Sequence, residues 1–210
     1  FVSAAGNTVP QYPTDNTVAK LQTTIQTAAF FCRTGEILKA LTRTIYRGLG
    51  LFRRMRIDKL GFENSYPRLV TSLKRLHTTD RAMHLAVGGE FEAIGRLELE
   101  ILKHFGLKEE DGVVDVGCGS GRLAQPLSGY LRGPYLGIDI VPDLLDFARG
   151  ITGRPDWRFE VARGLRIPQQ DATADFVCFF SVFTHLLHEQ SYVYLEEAKR
   201  VLKPGGNIVF

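Results

Sequence analysis

Hydrophobic positions in this 210-residue chain change their rhythm near residue 112. Ahead of that point they recur every three to four residues. Behind it, short unbroken apolar runs alternate with stretches of helical spacing. Val18, Leu21, Ile25, Ala28 and Cys32 share one side of a predicted helix that starts after Asn16 or Thr17 and is interrupted at Gly35. Ile37, Leu41, Ile45 and Leu49 define a second helix. Its other face carries Lys39, Arg43 and Arg47 and leads to Arg53-Arg54-Met55-Arg56. Ser65 is placed to cap a third helix, with Pro67 in its first turn and Leu69, Val70, Leu73 and Leu76 as its apolar face. Thr79 is placed to cap a short fourth helix that ends at Gly88-Gly89. A longer helix, Glu90 to Phe105, turns Phe91, Ile94, Ile101, Leu102 and Phe105 inward and stops at Gly106. Residues 1–16, with Pro10 and Pro13, read as poorly ordered.

The second half predicts five strands: Val113–Val116, Tyr135–Ile140, Trp157–Val161, Asp175–Phe180 and a last one from Asn207. Helices from about Gly121 to Leu131, Pro142 to Arg149 and Glu189 to Leu202 fall between them, with Pro126 an irregularity in the first. Strands alternating with helices imply a parallel sheet covered on both faces, and the continuous apolar runs suit strands buried on both sides. The fold class is therefore α/β, a doubly wound and mostly parallel sheet, with a helical N-terminal extension. The domain reading is a helical, basic segment at 1–80 and a ligand-binding domain at 81–210.

The stretch Val113-Val-Asp-Val-Gly-Cys-Gly-Ser-Gly-Arg-Leu-Ala124 organises that domain. A strand runs into three glycines at alternate positions, Gly117, Gly119 and Gly121, and then into a helical pattern. In a doubly wound fold such a turn lies at the carboxyl end of the first strand, where nucleotide-like ligands bind, and a helix start offers N–H groups to a negative part of the ligand. A dinucleotide fingerprint has a small third residue that lets helix and strand pack closely. Here that position is Arg122, which disfavours a nicotinamide dehydrogenase. The pattern D-x-G-x-G-x-G over Asp115–Gly121, with Cys118 inside it, resembles the first motif of the class I, Rossmann-like S-adenosylmethionine-dependent methyltransferases.

That resemblance, which covers roughly residues 88–210, implies S-adenosylmethionine as cofactor and assigns roles to residues of the motif. Asp115 would hold the methionine end through its ammonium group or ordered water. Asp139 ends the second strand 22 positions after Gly117 and would accept both ribose hydroxyls; the alternative is a helix cap. Ile140 would lie against the adenine. Gly88-Gly-Glu-Phe-Glu-Ala-Ile-Gly95 is similar to the lead-in of bacterial small-molecule methyltransferases, in which the aromatic, here Phe91, and the last glycine, here Gly95, help to close the cofactor pocket; plain helix packing is the alternative. After the third strand the family often places an Asp for the adenine amino group. This chain has Val161-Ala-Arg163-Gly164 instead, which leaves that contact unassigned.

Beyond the fourth strand the chain reads Phe179-Phe-Ser-Val-Phe-Thr-His-Leu186. Methyltransferases of nucleobases and of glutamine carry Asn/Asp-Pro-Pro-aromatic here, so its absence counts against a nucleic acid substrate. The string with Ser181 and His185, followed by Leu195 to Gly206, looks like enzymes that modify small molecules or sugars. Ser181 joins the expected cofactor contacts, and His185 is the candidate general base for O-methylation, or less favourably N-methylation, with His188 one helical turn away as its competitor. A histidine at a helix start can equally cap or pack. The rival functional class is a non-catalytic cofactor-binding module in a complex or at a membrane surface.

Charge adds a division. Residues 1–80 carry 12 Lys and Arg against 5 Asp and Glu, a net +7, and residues 81–210 carry 14 against 18, a net −4. A basic front suits an anionic partner, whether a membrane surface, a nucleic acid or a second copy of the chain, and equally a solvated helical face. Cys32, Cys118 and Cys178 are odd in number and far apart, which points away from disulfides and zinc and towards a reducing, cytoplasmic setting. No apolar run reaches the ~18 residues of a membrane span. The chain begins at Phe1 and stops inside an apparent strand, so the expectation is that C-terminal strands are missing and that the intact protein continues past Phe210.

Overall fold

The computed structural model describes residues 2–3 and 62–210. The two helices expected between Val18 and Leu49, and the arginine cluster at 53–56, lie outside the described residues. So does the membrane contact assigned to them.

The sheet begins with a two-residue strand, β1 (Val2–Ser3). Three helices follow among the described residues: α1 (Phe62–Leu76), α2 (Thr79–Val87) and α3 (Phe91–His104). The alternating half is β2 (Val113–Val116), α4 (Ala124–Ser128), β3 (Tyr135–Asp139), α5 (Pro142–Thr152), β4 (Arg158–Val161), β5 (Ala174–Cys178), a 3₁₀ turn (Phe183–His185), α6 (His188–Val201) and β6 (Leu202–Val209). The sheet order is β1-β6-β5-β2-β3-β4. Strands β2 to β6 are parallel, and β1 lies antiparallel on the outer edge of β6, with Val2 opposite Ile208 and Ser3 opposite Asn207. The edge expected to lack its partner thus carries the start of the chain, and residues 2–3 are strand.

Strand order reverses at β2, which has β3 on one side and β5 on the other. In an open α/β sheet the crevice for a ligand opens at this switch point, beyond the carboxyl ends of the strands. All nine residues of β2 and β3 are buried, because both faces are covered. On one face Val113, Tyr135, Phe159 and Phe176 meet α3, α4 and α5 through Leu102, Leu127 and Leu145. On the other, Val114, Leu136, Ile138 and Val177 meet Tyr194, Ala198 and Val201 of α6. A third cluster joins Leu69, Val70 and Leu73 of α1 to Ala82, Met83 and Ala86 of α2, and both to Val141 and Leu144 at the start of α5.

Several expected boundaries move. The third helix begins at Phe62, so Pro67 lies inside it, and Leu76, at its last position, is exposed. The boundary expected at 80/81 falls within α2, although α1 and α2 pack together on the α5 side of the sheet. The helix expected from Gly121 shrinks to Ala124–Ser128, with Pro126 unable to donate an N–H to extend it. Strand β6 starts directly after α6. Leu202 pairs with Ala174 and Asn207 with Phe176, so Lys203 to Gly206 form a bulge in which Pro204 costs no ladder bond.

Candidate active site

The turn after β2 is the narrowest part of the switch point. Gly117, Gly119 and Gly121 have φ of 73°, 55° and 88°, in the left-handed region where a side chain is strained. Space forbids one as well. A Cβ on Gly117 would fall within 3.0 Å of Val182 Cγ2, one on Gly119 within 3.0 Å of Val87 Cγ1, and one on Gly121 2.9 Å from the Cβ of Ala148. The turn is therefore walled by the end of α2, by the segment after β5 and by α5. Its amides are largely spent inside the protein. Those of Gly117 and Cys118 donate to Ile138 O at 2.7 and 3.0 Å, and that of Gly121 to Cys118 O at 3.0 Å. What the turn itself offers is close approach along a backbone without side chains.

Asp139 closes the turn from the next strand. Its Oδ2 accepts the Gly119 amide and its Oδ1 the Val141 amide, each at 3.0 Å. Burial raises its carboxyl above the ordinary range, while the backbone N–H groups of Val141, Gly119 and Ile140 pull the other way. Two bonds leave about two of a carboxylate's four or so acceptor positions, enough for a pair of vicinal hydroxyls. Asp139 is not the cap of α5, whose N-cap is Val141 and has no side-chain cap bond; one oxygen of Asp139 steadies the entry to the helix through the Val141 amide while both oxygens keep lone pairs. Ile140 is half-buried beside Tyr66 and Phe147 at the edge of the α1–α2 cluster.

Asp115 lies deeper. It is 2% exposed and accepts the Tyr135 hydroxyl on Oδ2 at 2.8 Å. Burial pushes it up to about 7, partly opposed by the Tyr135 hydrogen bond, with Glu98 raising and Arg122 lowering it further. The Cys118 side chain points down, its Sγ filling the space that a Cβ on Gly137 would take, so of the expected site residues it offers no side chain to a ligand. Burial pushes the thiols of Cys118 and Cys178 well up, so both pack as small apolar side chains.

Phe91 is buried and stacked on His84, ring centroids 4.0 Å apart. This stacking fastens α3 to α2. A Cβ on Gly95 would collide with Arg122 O, so this glycine lets α3 touch the backbone of the turn. Ser181 has φ 61°, a strained left-handed residue just past β5; its carbonyl accepts the Thr184 hydroxyl at 3.0 Å. His185 ends the 3₁₀ turn on the same carboxyl side of the sheet, exposed, with partial burial of its ring lowering its pKa. Leu186 and Leu187 are extended, so His188, the first residue of α6, is not one helical turn from it. Arg163 is exposed and does not complete the adenine end. No group of three or more His, Cys, Asp or Glu among the described residues is placed to hold a metal ion, and no described helix is long and apolar enough to cross a membrane.

The segment before Gly88 also reaches the turn. Ser120 Oγ donates to Met83 O at 2.9 Å, Arg122 Nη1 to Val87 O at 3.2 Å, and Tyr66 to Ala86 O at 2.9 Å. The helices α1 and α2 are part of the wall. Glu98 is the other residue missed. It is 4% exposed and paired with Arg122. Its signal was legible, since Phe91, Gly95, Glu98 and Leu102 fall on one helical stripe, and a carboxylate on such a stripe needs a cation.

Residues 114–210 match the family described as a methyltransferase domain. The chain is 28% identical over 123 residues to the O-methyltransferase cnsE of Penicillium expansum, a match that covers 56% of this chain and 44% of that protein. It is 30% identical over 130 residues to a ubiquinone biosynthesis O-methyltransferase of Hydrogenovibrio crunogenus, covering 58% and 52%. The chain thus spans about half the length of these curated relatives. A SAM-dependent methyltransferase from Aquifex aeolicus of known crystal structure aligns at 28% identity and a TM-score of 0.47, over 67% of this chain and 71% of that one.

Proposed function

We propose that this chain is a class I S-adenosylmethionine-dependent methyltransferase, a reading supported by the match of residues 114–210 to the methyltransferase domain family, and that it transfers a methyl group to an oxygen of a small molecule or sugar. When bound, the cofactor supplies an electrophilic methyl on a sulfonium. The chain's residues hold and orient. Asp139 would hold the ribose hydroxyls on its spare lone pairs, the glycine turn would admit the amino-acid end, and Asp115 would serve that end as the deeper carboxylate. Ile140 lines the adenine side, and Phe91, Gly95 and Ser181 shape the rim. The observation that carries the reading is Asp139, a buried carboxylate held by the turn's own Gly119 amide and still short of its full set of donors.

His185 is the base in this reading. It stands beyond β5, at the carboxyl end of the sheet, where an acceptor meets the methyl group. Its ring would take the proton of the acceptor hydroxyl, and the bound cofactor would supply the electrophilic methyl. Positioning supplies most of the acceleration, with effective molarities worth ~7–11 kcal/mol of barrier. Oxygen is favoured over nitrogen as acceptor because the relatives named above are O-methyltransferases, and a small or sugar acceptor because the segment after β5 lacks the nucleobase motif. The setting proposed is cytoplasmic, and residues 1–80 serve acceptor binding or contact with a membrane surface or a second chain. The test is incubation of the full chain with methyl-labelled cofactor and a panel of phenols, sugars and amines. Label in a phenol or sugar ether supports the proposal. Binding without transfer to any acceptor supports a non-catalytic module.

A further inference from the structure

Arg122 follows the third glycine of the turn, and its side chain gathers three elements. Nη2 pairs with Glu98 on α3, while Nη1 donates to Val87 O at 3.2 Å and to Gly88 O at 3.4 Å at the end of α2. The side chain of Arg122 is 12% exposed and that of Glu98 is 6% exposed, and Arg122 Nε is buried with no acceptor among the described residues. Its own carbonyl is the atom against which Gly95 of α3 is pressed. The residue thus ties the turn to the α2–α3 junction through both side chain and backbone.

Stability does not explain this arrangement. A buried ion pair repays its desolvation only with full hydrogen bonding, and apolar replacements of similar volume are often neutral or stabilising. What the pair does supply is geometry. Val87, whose carbonyl it holds, rests its side chain on Gly119, and Gly88 and Gly89 beyond it are both in the left-handed region at φ 69° and 70°, a junction that the backbone itself leaves free to swing. Among the described residues, the Ser120 to Met83 bond and the Tyr66 to Ala86 bond also hold this end of α2, but neither reaches the α2–α3 junction at Val87 and Gly88.

We infer that Arg122 and Glu98 are positioning residues for the cofactor site: their ion pair locks the α2–α3 junction onto the glycine turn and so sets the affinity for the amino-acid end of the cofactor. The inference rests on the cofactor reading above. Neither residue touches the reacting atoms. The lock acts on the turn, so its loss weakens ligands that lie along the turn, and it spares a ligand held only by the ribose and adenine side around Asp139 and Ile140.

The experiment compares the full chain with a Glu98→Leu, Arg122→Met double variant. Calorimetry follows S-adenosylhomocysteine, which has the amino-acid end, and methylthioadenosine, which lacks it, while thermal unfolding checks the fold. The expected result is an unfolding midpoint at or above the parent's, an affinity for S-adenosylhomocysteine lower by about tenfold or more, and an affinity for methylthioadenosine within a few-fold of the parent's. Equal loss for both ligands would make the pair merely structural and overturn the inference, as would no loss for either. If the double variant fails to fold, Arg122→Lys keeps a cation for Glu98 but cannot reach both carbonyls, and the same selective loss is expected of it, with equal or no loss overturning the inference. A parent chain that binds neither ligand overturns the cofactor reading instead.

Discussion

Replacing Asp115 by Asn should make the protein more stable and a worse cofactor binder. The carboxyl is 2% exposed, and burial lifts it from 3.8 to about 7. Between about pH 4 and pH 7 the folded chain keeps a proton that the unfolded chain has shed, so this group lowers stability as pH rises through that window and is constant above it. At pH 8 the folded protein carries an ionised, desolvated carboxylate at a cost on the order of 4 kcal/mol relative to the unfolded chain. Asn removes the charge and still offers an oxygen to the Tyr135 hydroxyl. Denaturant unfolding of parent and Asp115→Asn at pH 5 and pH 8 should therefore show a gain at pH 8 that exceeds the gain at pH 5 by about 3 kcal/mol. The same substitution deprives the cofactor's ammonium of its counter-charge, which should weaken S-adenosylhomocysteine about tenfold to a hundredfold, the scale of a hydrogen bond to a charged group. A variant that is less stable at pH 8, or whose gain is the same at both pH values, would refute the electrostatic reasoning. Unchanged affinity would take Asp115 out of the site.

His185→Ala should lower kcat by ~10²–10⁴-fold while cofactor affinity stays within a few-fold. Because partial burial lowers the ring's pKa, the parent's kcat/KM should rise with pH on a limb centred below that of an ordinary histidine; a limb centred above it, or a near-normal variant, would exclude this base. Gly119→Ala places a Cβ at φ 55° and against Val87, and should cost about 1–3 kcal/mol, read as a lower thermal midpoint. Adding Val87→Ala should restore part of that loss, since it removes the collision but not the backbone strain; no recovery would mean that the wall over the turn is not where the structure puts it.

Periodicity carried most of the sheet. Val113–Val116 is a strand at the residues expected, and β3 and β4 shift by one, because unbroken apolar runs between glycine and proline have one interpretation when helices alternate with them. Proline decided the errors. Pro67, expected in the first turn of its helix, lies inside α1, since a local rule for proline cannot see the packing that tolerates it. In the site, glycine spacing and Asp139 were legible because they are backbone requirements written in sequence. The contacts of Ser120 with Met83 and of Arg122 with Val87 and Glu98 were not, since they join segments more than twenty residues apart and depend on how α2 and α3 settle over the turn. Cys118 shows the converse. Its place in the motif made it a site residue, and the alternation of the chain after β2 turned its side chain into the core.

The central claim is that the turn at 117–121 and Asp139 form one S-adenosylmethionine site. Titration calorimetry of the full chain with S-adenosylhomocysteine, alongside Asp139→Ala, tests it most directly. The account predicts one site per chain, no binding of NAD, and an affinity about tenfold to a hundredfold lower in the variant, because the lost bonds are charge-assisted. Binding of equal strength by parent and variant, or heat from NAD and none from S-adenosylhomocysteine, would contradict it.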